Sequence, residues 1–350
     1  MYDAGLLPGP DSNMPDRGPP RPDIADDPNE TGELIFRLGD VQLNGEVDWR
    51  NVGRNLDGFV TTADNQGRQC SPPMMQAAPA DGPGGIDNAM GPFLGIIEFQ
   101  LECLESRLAE SHLAGEGTLM LWVQNWNGGP NDSNVVVSLV VAADATSLPA
   151  SDVMWNSTTH RLVLTSDDTM DAPPPSGDPT DNYYLRPDSF SGGSSPIPKL
   201  RDTSAYIADG MIVYSLPDRG EIPLNAGFGS LIIAVTDGLM LVQMSESLDS
   251  IESGELSGRF PLDALLDAGT SIGICEGTAP LVETQFRRIL DVMANAALPP
   301  NPATECDALS LGIPFRGTRA SFPRTSGEPT RSGTNPPLPD ACAIGVDPCP

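Results

Sequence analysis

Lysine is almost absent from this chain of 350 residues, in which Lys199 is the only one. Lysine and arginine together number 19 against 48 aspartates and glutamates, so the net charge at pH 7 is −29. Such a charge repels the phosphates of nucleic acid and the surface of an anionic membrane. We therefore expect neither nucleic acid nor an anionic membrane to be a partner of this protein.

Long apolar runs are also missing. No run approaches the roughly 20 residues that a helix needs to cross a bilayer, so we expect no transmembrane segment. Residues 1–5 carry neither the basic nor the apolar region of a signal peptide. Six cysteines in a lysine-poor chain with 36 glycines and 36 prolines favour an exported protein over a halophilic cytosolic one. We expect an extracellular or cell-surface location, with a signal peptide already removed.

The motifs of common catalytic sites are scarce. The two histidines, His112 and His160, are accompanied by no Cys-x-x-Cys pair, which argues against a structural zinc site. The chain contains no G-x-S-x-G pattern of an α/β-hydrolase and no glycine-rich pattern of a nucleotide-binding loop. The absence of these patterns favours a non-enzymatic protein that binds a ligand or a partner.

Composition divides the chain into three parts. Residues 1–31 hold seven prolines and six aspartates among small residues, which predicts a disordered acidic tether. Residues 32–320 contain the apolar patterns and predict one β-rich globular domain. Residues 321–350 predict a proline-rich C-terminal tail with two cysteines.

Strand patterns separated by turn residues dominate the predicted domain. Runs at 118–125 and 134–142 flank an Asn-Gly-Gly-Pro-Asn-Asp turn and predict a β-hairpin. Asp237-Gly238 predicts a second, tight hairpin turn between runs at 231–236 and 239–245. Further strands are predicted at 33–38, 161–165, 205–207, 211–216 and 309–320. This spacing predicts a mainly β fold, an antiparallel β-sandwich of the jelly-roll or lectin-like type with disordered termini.

Two or three accessory helices complete the predicted fold. A helix near 92–113 begins at Pro92, which suits the first turn of a helix. A second helix is predicted at 280–297, where Phe286, Leu290 and Met293 recur at helical spacing. A short helix is also indicated near 260–269.

The six cysteines allow 15 disulfide pairings. Cys275 and Cys306 bracket the predicted helix at 280–297, so we expect a bridge between them. Cys342 and Cys349 are close in sequence and suggest a local bridge. The alternative pairs one of these two with Cys70 or Cys103, which lie far upstream in the sequence.

The loop-rich segment 55–88 predicts a calcium site. Short carboxylate and amide side chains alternate with glycines there, and Ca²⁺ takes six to eight oxygen ligands. The same residue types are ordinary turn formers, which is the alternative explanation. The candidate ligands are Asn55, Asp57, Asp64, Asp81, Asp87 and Asn88.

Two tryptophans near one end of the first hairpin are candidates for stacking on a sugar ring. Trp122 is expected in the core, because the strand around it is apolar. Trp126 is the candidate ligand-binding residue. Carbohydrate or another surface protein is therefore the expected partner.

The stretch Gly45-Glu-Val-Asp-Trp49 resembles the first half of the E-x-D-x-x-E signature of laminarinase-like glycoside hydrolases, which are β-sandwiches. The resemblance implies that Glu46 is a nucleophile. The family's acid/base position falls on Asn51, so the second carboxylate would come from a distant part of the sequence. A glycoside hydrolase that uses Glu46 is the alternative function.

The chain as a whole resembles uncharacterised predicted exported, lipoprotein-like proteins of GC-rich bacteria. The resemblance rests on the acidic leader, on the Gly-Ile-Asp-Asn block at 85–88 before a predicted helix, and on Cys-Asp-Ala-Leu-Ser-Leu-Gly at 306–312. It implies an exposed location and a β-rich fold. The leading hypothesis is a non-enzymatic, exported β-sandwich protein that binds a ligand, with structural calcium.

Overall fold

Twelve strands run through the part of the chain that the computed structural model describes. The described residues are 15–25, 29–39, 41, 48–64, 68–73, 77, 79–92, 118–143, 184–185, 189–191, 197–225, 230–271, 279–322, 324–325 and 328–329. The strands are β1 Gly32–Gly39, β2 Thr118–Trp126, β3 Asp132–Ala143, β4 Tyr184–Leu185, β5 Leu200–Ala208, β6 Met211–Ser215, β7 Gly220–Asn225, β8 Ser230–Met244, β9 Ser250–Pro261, β10 Ala308–Arg319, β11 Arg324–Thr325 and β12 Glu328–Pro329.

Eight of these strands close into an antiparallel barrel. Around the barrel the order is β1, β2, β3, β5, β6, β8, β9 and β10, and β10 pairs again with β1. Each strand therefore neighbours the next one along the chain, which is an up-and-down meander. The short strands β4 and β7 pair with β3 and β8 outside the closed ring. The predicted β-sandwich is wrong, because the pairing of the first and last strands leaves a single closed sheet.

The inside of the barrel is a packed core. Successive side chains of a strand point to opposite faces, so every second residue points inward. Phe36, Leu121 and Leu139 are register partners across β1, β2 and β3, and all three are buried. Tyr214 and Met240 meet in the same way across β6 and β8 and belong to the same apolar cluster. Side chains therefore fill the barrel, as in other eight-stranded barrels of small diameter.

Strand β8 is continuous through the position of the predicted second hairpin turn. Asp237 has a φ of 51°, and the pairing of β8 with β9 shifts register between Thr236 and Leu239. Asp237-Gly238 is therefore a β-bulge rather than a turn. The bulge lets the first half of β8 pair with β7 and its second half with β6.

Two helices lie between β9 and β10. Helix α1 spans Leu262–Ser271 and packs on β8, and helix α2 spans Ala279–Arg287. The helix predicted to reach residue 297 ends ten residues earlier, because Val292 instead forms a bridge with Ala308 at the start of β10. The three residues at helical spacing, Phe286, Leu290 and Met293, are nevertheless buried. In the described ranges, no helix has the length and apolar character to cross a membrane.

Other predicted helical residues fall largely outside the described part of the chain. Residues 90–92 are helical, and the rest of the helix predicted at 92–113 lies outside it. In the described part of the C-terminal tail, Phe322 packs on Trp122 and β11 pairs with β12.

Residues 15–25, named the strap, lie against the outside of the barrel. The Asp16 backbone N–H donates to the Asn55 carbonyl oxygen at 2.8 Å, and Arg17 pairs with Asp237 at 2.7 Å. These residues belong to the acidic tether predicted over 1–31, and this part of it contacts the barrel. A proline-rich segment has too little apolar surface to form its own core, but it can pack on the surface of a folded barrel.

A disulfide joins Cys70 to Cys306, which are 236 positions apart in sequence. The predicted participation of Cys306 in a bridge is confirmed, but the predicted partner Cys275 is wrong. The N–H of Cys306 also donates to the Ser71 carbonyl oxygen, so backbone pairing places the two cysteines side by side. Cys275, Cys342 and Cys349 lie outside the described residues.

We predict that Gly254→Ala destabilises the barrel by about 1–3 kcal/mol, because it overfills the core. A Cβ atom at Gly254 would lie 2.2 Å from the buried ring of Phe315. Urea denaturation measures the effect. Gly129→Ala, in the exposed β2–β3 turn with no atom closer than 3.1 Å to its Cβ, is the control. Equal midpoints for both variants would contradict the packed interior.

Candidate functional site

The segment 48–92 covers the outside of β9 and β10. The outward residues of these two strands are polar or small: Ser257 pairs with Gly312, and Arg259 pairs with Ser310. A Cβ atom at Gly312 would lie 2.7 Å from the Val52 carbonyl oxygen, so the segment approaches the strand backbone as closely as only glycine allows. A polar barrel face thus lies beneath the predicted calcium segment.

Asn88 fastens this segment to the barrel. Its Nδ2 donates to the carbonyl oxygens of Val52 at 2.9 Å and of Gly312 at 3.2 Å. Its Oδ1 accepts from the backbone N–H groups of Gly91 and Gly312. Both ends of the amide are thus engaged by the backbone, and Asn88 acts as a structural residue.

Asn55 and Asp57 shape the turn at the start of the segment. Asn55 Oδ1 accepts from the Gly58 N–H at 2.6 Å, and Asn55 Nδ2 donates to the Phe59 carbonyl oxygen at 2.9 Å. Asp57 accepts from the N–H groups of Phe59 and Gln69. These are the side-chain-to-backbone bonds typical of Asx turns.

Four carboxyl groups converge under the segment: Asp57, Asp81, Asp87 and Asp291. Asp87 is 4% exposed and accepts from the N–H groups of Leu56 and Asp57 through one oxygen. Burial and repulsion by Asp57, Asp81 and Asp291 both raise the pKa of Asp87, so the cluster favours its protonated form.

Burial raises the pKa of all four carboxyl groups. Loss of solvent is the largest cause for each, and mutual repulsion adds to it at Asp81, Asp87 and Asp291. The pKa is raised to about 7 for Asp81 and to about 7 for Asp291. Asp291 is held by Ser310, whose N–H and hydroxyl both donate to it.

Arg259 is the positive charge beside this cluster. It is 1% exposed, and its guanidinium donates to the Gln69 side-chain oxygen and to the Met293 carbonyl oxygen, each at 2.7 Å. A third bond goes to the Leu56 carbonyl oxygen. Its Nε lies 3.5 Å from Asp237 Oδ2, so Arg259 joins the carboxyl cluster to the bulge of β8.

The structure brings together half of the predicted calcium ligands. Asp57, Asp81 and Asp87 converge as predicted, whereas Asp64 is exposed and belongs to no part of the cluster. Asp291 was missed by sequence reasoning, because its segment shows helical periodicity. Among the residues that the structure describes, no group of three or more His, Cys, Asp or Glu side chains has an arrangement that could hold a metal ion.

A separate open cleft lies at the end of the barrel where β9 leads into α1. Its volume is about 930 Å³. Charged residues make up much of its lining, and Pro261, Leu262 and three alanines supply the apolar part. The charged and polar lining residues are Arg17, Asp218, Arg219, Thr236, Asp237, Asp263, Asn295 and Asp307.

Two ion pairs form the walls of this cleft. Both terminal nitrogens of Arg17 donate to the two Asp237 oxygens, at 2.7 and 3.2 Å. Both terminal nitrogens of Arg219 donate to one oxygen of Asp263, at 3.1 Å each. Burial alone would raise the pKa of Asp263, but the Ala264 N–H and the Arg219 charge together hold it below its usual value.

The predicted ligand-binding tryptophan lies away from the cleft. Trp126 sits at the opposite end of the barrel, where its Nε1 donates to the Gly129 carbonyl oxygen at 2.8 Å within the β2–β3 turn. Its ring is partly buried against the core. Glu46 lies outside the described residues, and Asp48 caps the short 3₁₀ turn Trp49–Asn51.

Comparison with protein-family models, with curated proteins and with solved structures returned no match. The site is therefore interpreted from its own geometry.

The raised pKa values predict that stability falls as pH rises. The folded protein holds more protons on these aspartates than the unfolded chain does between about pH 4 and pH 7, so unfolding becomes easier through that window. Asp81→Asn keeps the hydrogen bonds but removes the titration. Between pH 5 and pH 8, we expect the free energy of unfolding of this variant to fall by on the order of 1–2 kcal/mol less than that of the unmodified protein.

Urea denaturation at several pH values measures this difference. Asp64→Asn, an exposed aspartate of the same segment, is the matched control and is expected to leave the pH dependence unchanged. A pH dependence that is identical in all three proteins would show that Asp81 is ionised in the folded state.

Calcium binding at this cluster stays a prediction with its own test. Free Ca²⁺ at a hundredfold excess over its dissociation constant would add about 2.7 kcal/mol to the stability of the folded state. Protons compete for the same oxygens, so the shift in melting temperature is expected to be larger at pH 8 than at pH 5. Asp81→Ala and Asp87→Ala are expected to abolish it. Magnesium at equal ionic strength is the control, and an equal shift by both ions would mean simple charge screening.

Proposed function

We propose that this chain is a non-enzymatic, exported binding protein that takes a small polar ligand, a carbohydrate by preference, in the cleft beside α1. The observation that carries this proposal is the cleft itself. Its volume of about 930 Å³ lies at the upper end of the range for small-molecule sites, roughly 300–1,000 Å³. The barrel interior, in contrast, is filled by side chains.

The chemistry of the lining favours a ligand rich in hydroxyl groups. Two arginines face four aspartates, so the cleft has no excess positive charge to attract an anion. Arginine and asparagine supply donors, and aspartate oxygens supply acceptors, at close spacing. Asp263 offers an oxygen that Arg219 does not use, and Asn295 is exposed beside it. A sugar hydroxyl, which both donates and accepts, fits such paired groups.

The Cys70–Cys306 bridge supports an exported location. Disulfides persist in oxidising compartments and are rare in the cytosol. The acidic composition and the scarcity of lysine agree with an exposed protein, as does the expected lipoprotein-like character.

The electrostatics of Asp263 argue for binding over hydrolysis. A glycoside hydrolase needs a carboxylic acid with a raised pKa to protonate the leaving group. The pKa of Asp263 is lowered instead. Of the carboxyl groups with raised pKa values, Asp57 and Asp87 are buried and Asp81 and Asp291 are partly buried, and none of the four lines the cleft.

Binding is tested with a glycan array followed by calorimetry on the oligosaccharides that bind. We expect Arg219→Ala and Asn295→Ala to weaken binding at least tenfold without changing the melting temperature by more than a degree or two, because exposed ion pairs contribute only about 0–1 kcal/mol. The Glu283–Arg287 pair on α2 is similarly exposed, and Arg287→Ala is the control.

No binding to any glycan would remove carbohydrate as the ligand. Release of reducing sugar from a bound oligosaccharide would show that the chain is an enzyme.

A further inference from the structure

The strap crosses the strands of the barrel instead of pairing with one of them. Asp16 accepts from Arg54, which also contacts Glu255 on β9. Gly18 lies on Leu241 of β8, and the Pro19 carbonyl oxygen accepts from the Tyr206 hydroxyl of β5. The strap therefore runs from β9 across β8 and β6 to β5.

The surface beneath the strap is a small apolar patch, named the strap face. Its buried members are Val213, Leu239 and Leu241, and Tyr206 and Met211 pack beside them. Tyr206 pairs with Val213, and Val213 pairs with Leu241, so the three side chains form one row across β5, β6 and β8. A row perpendicular to the strands suits a ligand that crosses them.

The spacing of this row matches an extended proline-rich chain. Proline favours the polyproline II conformation, which advances about 3.1 Å per residue. From Gly18 to Arg21 this gives about 9 Å, and two strand spacings of about 4.8 Å give nearly the same distance from β8 to β5. The sequence Pro19-Pro-Arg-Pro22 therefore places its carbonyl groups and its arginine in step with the strands.

Arg21 supplies the most specific contacts. Its guanidinium lies over the Tyr206 ring, 4.6 Å from the ring centre. Its two terminal nitrogens donate to the carbonyl oxygens of Ser133 on β3 and Ser204 on β5. Stacking on an aromatic ring combined with two fixed acceptors is a geometry that arginine satisfies and lysine does not. Each of these contacts is made by side chains or by carbonyl groups, so none depends on the strap being covalently attached.

We propose that the strap face is a binding site for arginine-containing proline-rich segments of a partner protein, and that the strap fills it as an internal competitor. A tyrosine hydroxyl bonded to a proline carbonyl, beside an apolar row, is the way in which proline-rich peptides are recognised in general. The net charge of −29 favours a partner segment more basic than the strap, in which Asp16 and Asp23 balance the two arginines. Arg17 of the strap also lines the cleft, so a partner segment that displaces the strap would remove the Arg17–Asp237 pair from it.

The sequence offers its own specificity control. Residues 336–340 read Pro-Pro-Leu-Pro-Asp and differ from residues 19–23 only in having leucine where the strap has Arg21. A leucine can neither lie over the Tyr206 ring as a cation nor donate the two hydrogen bonds that Arg21 makes. A peptide of residues 15–25 with Arg21→Leu carries this second motif and is expected to bind at least tenfold more weakly.

The test uses the full-length chain and a fluorescent peptide of residues 15–25, with binding followed by anisotropy. The tethered strap competes at an effective concentration in the millimolar range. The double variant Gly18→Val, Arg21→Ala weakens the strap, because a Cβ at Gly18 would lie 2.9 Å from Leu241 and its φ of 81° disfavours valine. We expect the double variant to bind the peptide at least tenfold more tightly than the unmodified chain.

Substitutions at the site and on the strap complete the design. In the double variant, Tyr206→Phe removes only the hydroxyl and is expected to weaken binding severalfold, whereas Tyr206→Ala is expected to abolish it. Ile24→Ala changes an exposed strap residue and is the control that should behave like the unmodified chain. Equal affinity for both chains, or equal binding of the Arg21→Leu peptide, would overturn the assignment. Dimers of the chain that dissociate on adding peptide would identify a second copy as the occupant, against a foreign partner.

Discussion

The buried guanidinium of Arg259 connects the segments that pack on the outside of the barrel. Arg259 points outward from β9, yet it is 1% exposed, because the segment 48–92 and the turn after α2 cover it. A buried charge costs several kcal/mol unless partners surround it. The guanidinium therefore needs the carbonyl oxygens of Leu56 and Met293 as acceptors, and these hydrogen bonds fix the positions of the two covering segments. The contact with Asp237 extends the same constraint to one wall of the cleft.

The sequence predicted the strands well and their closure not at all. Apolar and valine-rich runs bounded by turn residues identify β2, β3 and β10 within a residue or two, because such runs report which segments are buried. A sandwich and a closed barrel are built from the same runs. The difference lies in the pairing of β1 with β10, which joins residues nearly 300 positions apart and leaves no local signal. The end of α2 was misjudged for a related reason, since Leu290 and Met293 are buried at helical spacing without being helical.

The sequence identified only part of the candidate site. Clustered Asp, Asn and Gly residues marked the segment that carries Asp57, Asp81 and Asp87, because such residues form tight turns whatever else they do. Arg259 gave no signal as an isolated arginine. The outward sequence of β9 could have indicated it, since Ser257 and Arg259 are polar and alternate with the buried Leu256 and Phe260. A polar stripe that must be covered predicts a covering segment, whereas the cleft is lined by six separate stretches of chain and has no such linear signature.

The meander topology has a consequence for how the chain acquires its structure. Every neighbouring pair of strands forms as soon as the second strand is made, except the pair that closes the ring. Until β10 arrives, β1 and β9 remain open edges, and open edges are prone to pair with other chains. The Cys70–Cys306 bridge also waits for the last strand, because Cys306 directly precedes it. Sheet closure and formation of this bridge therefore both wait for residues 306–319, and a chain that ended before Cys306 would be an open sheet in which Cys70 lacks this partner.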